Sequence, residues 1–308
     1  MPSTLSGTPR LIALDWGTSS LRAYLLGEDG RCLAQASGAF GILNVADGAF
    51  DAVYLRLCTG WQGEYGLLPV LASGMIGSRQ GWLEAPYLPC PAAPAQIAAH
   101  LAHLQASDGA RIHIVPGLSC RNTQGIPDVM RGEETQLLGV IETGGAALWV
   151  LPGTHSKWAH CAGGKVEAFS TYMTGELYAV LCQHSILGRL MPAEAQADAR
   201  AFARGVGYGL SAGADLPRKL FSARSLGLFS EVPLEGLADY LSGLLLGAEI
   251  RDALKLSPVS AELGLIGEPG LCARYRTALE IAGVRVRDTR TDAAAQGLWR
   301  IAVHAGLV

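Results

Sequence analysis

The chain has 308 residues, of which 49% are apolar and 17% charged, a balance that excludes intrinsic disorder and leaves room for about two domains of ordinary size. Lys and Arg total 24 against 27 Asp and Glu, a formal net charge of −3, and no basic cluster is dense enough to neutralise a nucleic-acid backbone, so nucleic acid is not an expected partner. No apolar run approaches the roughly 18 residues of a membrane span, Met1–Arg10 lacks a signal-peptide pattern, and the seven cysteines form no CxxC pair, which predicts a cytoplasmic protein without disulfide framework or zinc site.

Apolar runs predict three opening strands, Arg10–Asp15, Leu21–Gly27 and Arg31–Ser37. They are separated by Gly17-Thr18-Ser19-Ser20 and by Glu28-Asp29-Gly30, the latter a hairpin signal. A helix around Ala49–Trp61 follows, then a strand Leu68–Ala72, a proline-rich stretch Pro86–Pro94, a helix near Gln96–Gln105 and a strand Arg111–Val115. Gly132–Ile141 reads as a helix with Glu133 and Glu134 in its first turn, where the helix dipole favours carboxylates. Thr143-Gly144-Gly145 breaks it. Strands are expected at Ala146–Leu151, Lys157–Cys161 and Lys165–Thr171, and helices over 174–185, 195–210, 214–224 and 233–255. Strand Leu263–Ile266, helix Leu271–Ala282, strand Val284–Arg287 and helix Ala293–Ala305 close the chain. This order predicts an α/β protein of two related halves, 1–145 and 146–308.

The halves echo one another. Gly17-Thr18-x-Ser20-x-x-Ala23 recurs as Gly153-Thr154-x-Ser156-x-x-Ala159, each copy between two expected strands. Two unrelated strand turns would look the same, but turns of small hydroxylated residues also expose consecutive backbone N–H groups that bind phosphate oxygens. On that reading Gly17, Thr18, Ser19, Ser20 and Arg22, with Gly153, Thr154, His155 and Lys157, grip a polyphosphate from both sides. Asp15, at the end of the first strand, then holds Mg²⁺ directly or through water. A turn carboxylate capping nearby N–H groups is the plainer alternative for Asp15.

The segment LIALDWGTSSLR (11–22) resembles the first phosphate loop of the actin-like ATPase superfamily. More narrowly, DWGTSSLRAYL, SGMIGSRQGWLEAPYLPCP (73–91), PDVMRGEETQLLG (127–139), LPGTHSKW (151–158), TGELY (174–178) and LSGLLLGAEI (241–250) resemble the 2-dehydro-3-deoxygalactonokinase family in order along nearly the whole chain. The resemblance implies two RNase H-like domains around a central nucleotide cleft. It also implies ATP-dependent phosphorylation of 2-dehydro-3-deoxygalactonate at its 6-hydroxyl, in galactonate breakdown. A kinase for the gluconate epimer, an exopolyphosphatase-like phosphohydrolase of the same fold, and a nucleotide-binding sensor without turnover are the rival readings, and a homo-oligomer is left open. Two departures stand out: the second phosphate loop has Leu151-Pro152 where relatives in the superfamily commonly carry aspartate, and the adenosine loop reads Gly267-Glu268-Pro269-Gly270 rather than being rich in paired glycines.

Phosphoryl transfer also needs a carboxylate to orient or deprotonate the attacking hydroxyl. Glu133 and Glu134 are the first candidates and Asp128 the next; adjacent helical residues point about 100° apart, so at most one glutamate is expected to face substrate while the other caps the helix or is solvated. Arg131 and Arg79 compete to hold the substrate carboxylate, a task suited to a planar guanidinium. Gly267, Glu268 and Gly270, before a helix, are the expected adenosine contacts. Gly209-Leu-Ser211-Ala-Gly213 fits GxSxG but follows a helical pattern rather than a strand, and Gly205-Val-Gly207-Tyr-Gly209 is too short for a dinucleotide loop.

Overall fold

A computed structural model of the chain describes residues 7–141, 146–194, 196–212, 215–256, 263–291 and 293–308. The chain divides into two compact units, one comprising Met1–Ala146, His160–Phe169 and Asp292–Val308, the other Ala147–Ala159 and Ser170–Thr291. The boundary expected near Gly145 and the expected break at Thr143-Gly144-Gly145 lie outside the described residues.

The first unit opens with β1 (Pro9–Trp16), β2 (Leu21–Gly27) and β3 (Cys32–Gly38), an antiparallel meander, followed by α1 (Phe50–Tyr65) and β4 (Val70–Ser73). Next come β5 (Tyr87–Pro89), α2 (Pro94–Ala98), β6 (Ala102–Gln105), β7 (Arg111–Ile114), β8 (Gly117–Arg121), β9 (Pro127–Met130) and α3 (Glu133–Val140). The main sheet has the order β3-β2-β1-β4-β7-β6, with β4 parallel to both β1 and β7. Leu11, Ile12, Ala13 and Leu14 are all fully buried, the mark of a strand covered on both faces. On one face α1 presents Phe50, Tyr54, Cys58 and Gln62, one residue per turn.

Two expectations fail here. The helix near Gln96–Gln105 is only the five-residue α2, and the rest is edge strand β6, antiparallel to β7. The cause is local: Asp108-Gly109 builds a turn in which the Ala106 amide donates to the Ala110 carbonyl at 2.9 Å, and Ala102 and Leu104 alternate with His103 and Gln105. The hairpin β8–β9 was not anticipated. The Asn122 side chain nucleates it, its Oδ1 accepting the amides of Gln124 and Ile126, both at 3.0 Å. With β5 it forms a separate sheet of order β5-β8-β9.

The second unit is built from β10 (Ala146–Leu151), β11 (Ser156–Ala162), β12 (Lys165–Tyr172), α4 (Thr174–His184), α5 (Ala199–Leu210), α6 (Leu216–Leu220), α7 (Ser222–Leu228), α8 (Leu237–Leu256), β13 (Leu263–Ile266), α9 (Pro269–Ile281) and β14 (Val286–Arg290). Its sheet order, β12-β11-β10-β13-β14, repeats β3-β2-β1-β4-β7 of the first unit strand for strand, with β13 parallel to β10 and β14. The single helix expected over 214–224 is two, α6 and α7, because Lys219 is buried and its ammonium donates to the carbonyls of Tyr208 and Gly209 at the end of α5.

The last helix, α10 (Ala293–His304), does not stay with the second half: it packs in the first unit, against α3, β1 and β4. Gly297 of α10 faces the Thr135 carbonyl and Gly139 of α3 faces the Ala293 carbonyl, so closely that a Cβ on either would overlap it. The second unit solves the same problem twice over. Gly205 and Gly209 of α5 meet Gly243 and Gly247 of α8, backbone against backbone, which gives these two glycines of the Gly205–Gly209 stretch a packing role. Gly207, two residues away on the exposed side of α5, has open space around it. Gly209→Ala should therefore lose roughly 1–3 kcal/mol of stability to overpacking, whereas Gly207→Ala should gain about 0.5–1 kcal/mol. Urea unfolding midpoints at constant slope read both, and equal shifts would disprove this account of the α5–α8 contact.

Candidate active site

In the first unit, Asp15 on β1 stands in register with Arg22 on β2 and Ser73 on β4. Its side chain is 18% exposed, with Oδ2 3.7 Å from Arg22 Nη1. Burial raises the Asp15 pKa, and the Arg22 charge opposes that rise. The Gly17–Ser20 turn closes through the Gly17 amide, which donates to the Ser20 carbonyl at 2.9 Å. Its other carbonyls are held from below: Gly17 accepts from the Ile42 amide at 3.0 Å, Thr18 from the Leu43 amide at 3.2 Å and Ser19 from the Asn44 side-chain Nδ2 at 3.0 Å. Thr18, Ser19 and Ser20 remain exposed. Gly41 makes this fit possible, because a Cβ there would overlap the backbone of Thr18 and Ser19. Trp16, fully buried, fixes the same segment by donating its indole N–H to the Phe40 carbonyl at 2.7 Å.

At the start of α3, both glutamates fold back onto the chain that precedes them. Glu133 Oε2 accepts the Arg131 amide at 3.0 Å, and Glu134 Oε2 accepts the Gly132 amide at 2.7 Å. Gly132 has φ +104° and lies against the Gly74 backbone, a turn that favours glycine. Both thus accept amides of the preceding turn, and they differ in exposure. Glu134 is fully buried, also accepts from Thr135 Oγ1 at 3.0 Å, and its pKa is pushed up to about 8, first by desolvation and then by the Glu133 charge. Glu133 is only half-buried.

Arg131 is 8% exposed. Its Nη2 donates to the Ala85 carbonyl at 2.7 Å and its guanidinium lies 4.3 Å from the Tyr87 ring centroid. Nε and Nη1 are buried with no hydrogen-bond partner among the described residues, as are the hydroxyls of Ser73 and Ser78. Orphaned buried donors of this kind are costly unless something accepts from them. Arg79 is exposed, and Asp128 is half-buried on β9, its Oδ1 accepting the neighbouring Val129 amide at 2.7 Å. Ser73, Ser78, Tyr87 and Gly41 were not singled out from sequence; only the position of the two serines in SGMIGS, shared with Arg79, hinted at them.

In the second unit, the Pro152–His155 turn is built on the same plan. The Thr154 carbonyl accepts the Glu176 amide at 3.0 Å, and Gly175, the residue before, lies so close to Gly153 and Thr154 that a Cβ would meet their backbone. Thr154 and His155 are exposed, and His155 Nε2 pairs with Glu176 Oε2. The echo stops at the serine: Ser156 is fully buried where Ser20 is exposed, and Lys157, expected beside the phosphates, is 5% exposed within β11.

A cavity of about 320 Å³ opens beside this turn, bounded by Gly153, Gly175, Leu245, Leu271, Arg274 and Tyr275. Arg274 Nη1 is 2.8 Å from Asp239 Oδ1. The expected adenosine contacts do not line the cavity. Glu268 caps α9 instead, its carboxylate accepting the Gly270 amide at 2.8 Å and the Leu271 amide at 2.7 Å, bonds that lower its pKa. The Gly267 amide donates to the Arg290 carbonyl at 3.0 Å. The α9 residues that do line the cavity are Leu271, Arg274 and Tyr275.

Among the described residues no helix is long and apolar enough to cross a membrane. Residues 15–301 match the family model described as 2-keto-3-deoxy-galactonokinase. The chain is 38% identical over 299 residues to 2-dehydro-3-deoxygalactonokinase of Escherichia coli K12, a match covering 97% of this chain and 99% of that one. It is similar to the crystal structure of a Sinorhizobium meliloti protein provisionally assigned as a 2-dehydro-3-deoxygalactonokinase, with a TM-score of 0.85, 40% identity and coverage of 95% and 98%. A Porphyromonas gingivalis structure provisionally assigned as an N-acetylglucosamine kinase shares the fold, with a TM-score of 0.51 at 10% identity over 97% of this chain and 100% of that one. With a strand order repeated in two units and a Gly-Thr turn in each, this α/β chain belongs to the 2-keto-3-deoxy-galactonokinase family of sugar-acid kinases.

Proposed function

We propose that this chain transfers the γ-phosphoryl group of Mg-ATP to the 6-hydroxyl of 2-dehydro-3-deoxygalactonate in the cytoplasm. The observation that carries the reading is the likeness of the two Gly-Thr turns, the first tethered through the carbonyls of Gly17, Thr18 and Ser19 and the second through that of Thr154, while Thr18, Ser19, Ser20, Thr154 and His155 stay exposed. Such a turn presents donors to phosphate oxygens without reorganising, and preorganised donors are what phosphoryl transfer needs. Thr18, Ser19 and Ser20 serve this role in the first unit, and Thr154 and His155 in the second. Asp15 suits Mg²⁺, being a hard oxygen donor mostly removed from water at a strand end. When bound, the ion neutralises charge on the phosphoryl oxygens.

Glu133 acts as the base. It takes the proton of the 6-hydroxyl as that oxygen bonds to the γ-phosphorus, and the bond from the γ-phosphorus to the bridging oxygen breaks to release ADP. Arg131 anchors the sugar-acid carboxylate through Nε–H and Nη1–H, which have no acceptor among the described residues. The Tyr87 ring over the guanidinium then has to yield for the ligand to enter. The nucleoside occupies the cavity beside Gly153.

Coupled ADP release tests the whole reading: turnover with 2-dehydro-3-deoxygalactonate, little with its gluconate epimer and none without sugar is expected, and equal ATP cleavage without sugar would replace the kinase with a phosphohydrolase. In the same assay Arg131→Lys should lower kcat/KM for the sugar acid by about 100-fold, with KM for ATP unchanged. Glu133→Gln should cut kcat by roughly 10²–10⁴, whereas Glu134→Gln should keep it. Glu134 supplies a separate pH signature. Because its folded pKa lies above the ordinary value of 4.5, the folded state binds the extra proton, so stability falls as pH rises from about 5 to about 8. Thermal melts of Glu134→Gln should lack that decline. Gly41→Val should displace the first turn and raise KM for ATP at least about tenfold in a folded protein; an unchanged KM would remove this turn from phosphate binding.

A further inference from the structure

Glu249 on α8 is 3% exposed, and four side chains converge on it. Its Oε1 accepts Ser156 Oγ at 2.8 Å, Trp158 Nε1 at 2.8 Å and the Tyr275 hydroxyl at 3.1 Å, while Oε2 lies 3.0 Å from the same hydroxyl. The Thr174 side chain is the fourth donor. All four are neutral, so the carboxylate is sustained by hydrogen bonds rather than by a counter-charge, an arrangement that fails sharply when one member is removed.

The donors are not a random sample of the core. Ser156 is the residue after the Gly153-Thr154-His155 turn. Thr174 and Tyr275 line the cavity beside that turn, and Gly175, next to Thr174, lies against Gly153 and Thr154. A single carboxylate thus joins β11, α4 and α9, which carry the turn, the floor beneath it and one wall of the cavity. We infer that Glu249 is a positioning residue for the nucleotide, holding the cavity in register with the second Gly-Thr turn. The inference rests on the reading that this cavity takes the nucleoside. It concerns binding of ADP or ATP alone, so it can be read without any sugar acid.

The test is calorimetric titration of ADP into the wild-type protein and into Glu249→Met, Glu249→Gln and Tyr275→Phe, alongside thermal melts and sugar-acid KM values. Glu249→Met, similar in size but without an acceptor, should weaken ADP binding by about 100-fold, and Glu249→Gln, which keeps one acceptor oxygen, should recover to within about tenfold of wild type. Tyr275→Phe should weaken binding by about fivefold. Sugar-acid KM should stay within about twofold throughout. If Glu249→Met does not fold, the other two variants decide. Lower melting temperatures with wild-type ADP affinity in Glu249→Gln and Tyr275→Phe would make the cluster a core contact only and overturn the inference. ADP binding by a wild-type protein that phosphorylates no sugar acid would overturn the proposed function while leaving the role of Glu249 standing. Failure of the wild-type protein to bind ADP would overturn both.

Discussion

Backbone packed against backbone is the constraint on which the structure turns. Each Gly-Thr turn has its carbonyls tied to a second segment, and that segment approaches so closely that only glycine fits, at Gly41 in one unit and Gly175 in the other. A turn pinned through its acceptors has its donors and hydroxyls left to face outward. The same device sets the helix crossings, where Gly205, Gly209, Gly243 and Gly247 bring α5 and α8 into backbone contact, and Gly139 and Gly297 do so for α3 and α10. Rigidity at the turns is thus a packing property and does not depend on the ligand being present.

The buried ionic groups divide by what satisfies them. Glu134 is absorbed into the fold, its oxygens accepting the Gly132 amide and the Thr135 hydroxyl. Lys219 is likewise absorbed, by carbonyls at the end of α5. Arg131 is not: two of its nitrogens and two nearby serine hydroxyls in the same unit lack acceptors among the described residues. Leaving two buried guanidinium nitrogens without acceptors is costly even with Nη2 bonded to the Ala85 carbonyl. That contrast distinguishes Arg131 from Glu134, which motif membership alone does not do, since the two are neighbours in one motif.

Strong local signals carried most of the architecture in the sequence: the three-strand meander, the Gly-Thr turns, α3 with its two leading glutamates, and the long α8 follow from periodicity and turn chemistry. The expected helix near Gln96–Gln105 went wrong because β6 has only four residues, too few for alternation to outweigh helical propensity. The depth of Ser156 and Lys157 was invisible because it depends on partners far along the chain; Glu249 lies 93 positions from Ser156. Glu268 looked like a ligand residue because an N-cap and a phosphate or ribose contact use the same residue types before a helix.

The placement of α10 bears on how the protein is made. The first unit needs Ala294, Leu298, Ile301 and Ala302 of α10 to cover one face of its sheet, yet these follow the whole of the second unit in the sequence. All of the second unit, Ala147–Ala159 and Ser170–Thr291, precedes residue 292 and is available before α10 emerges. The first unit therefore completes its fold only after the whole second unit has been made, its β1–β4 surface exposed to solvent or to a chaperone until α10 emerges. Loss of Ala293–His304 would damage a unit whose sheet is built from strands on the far side of the second unit in sequence.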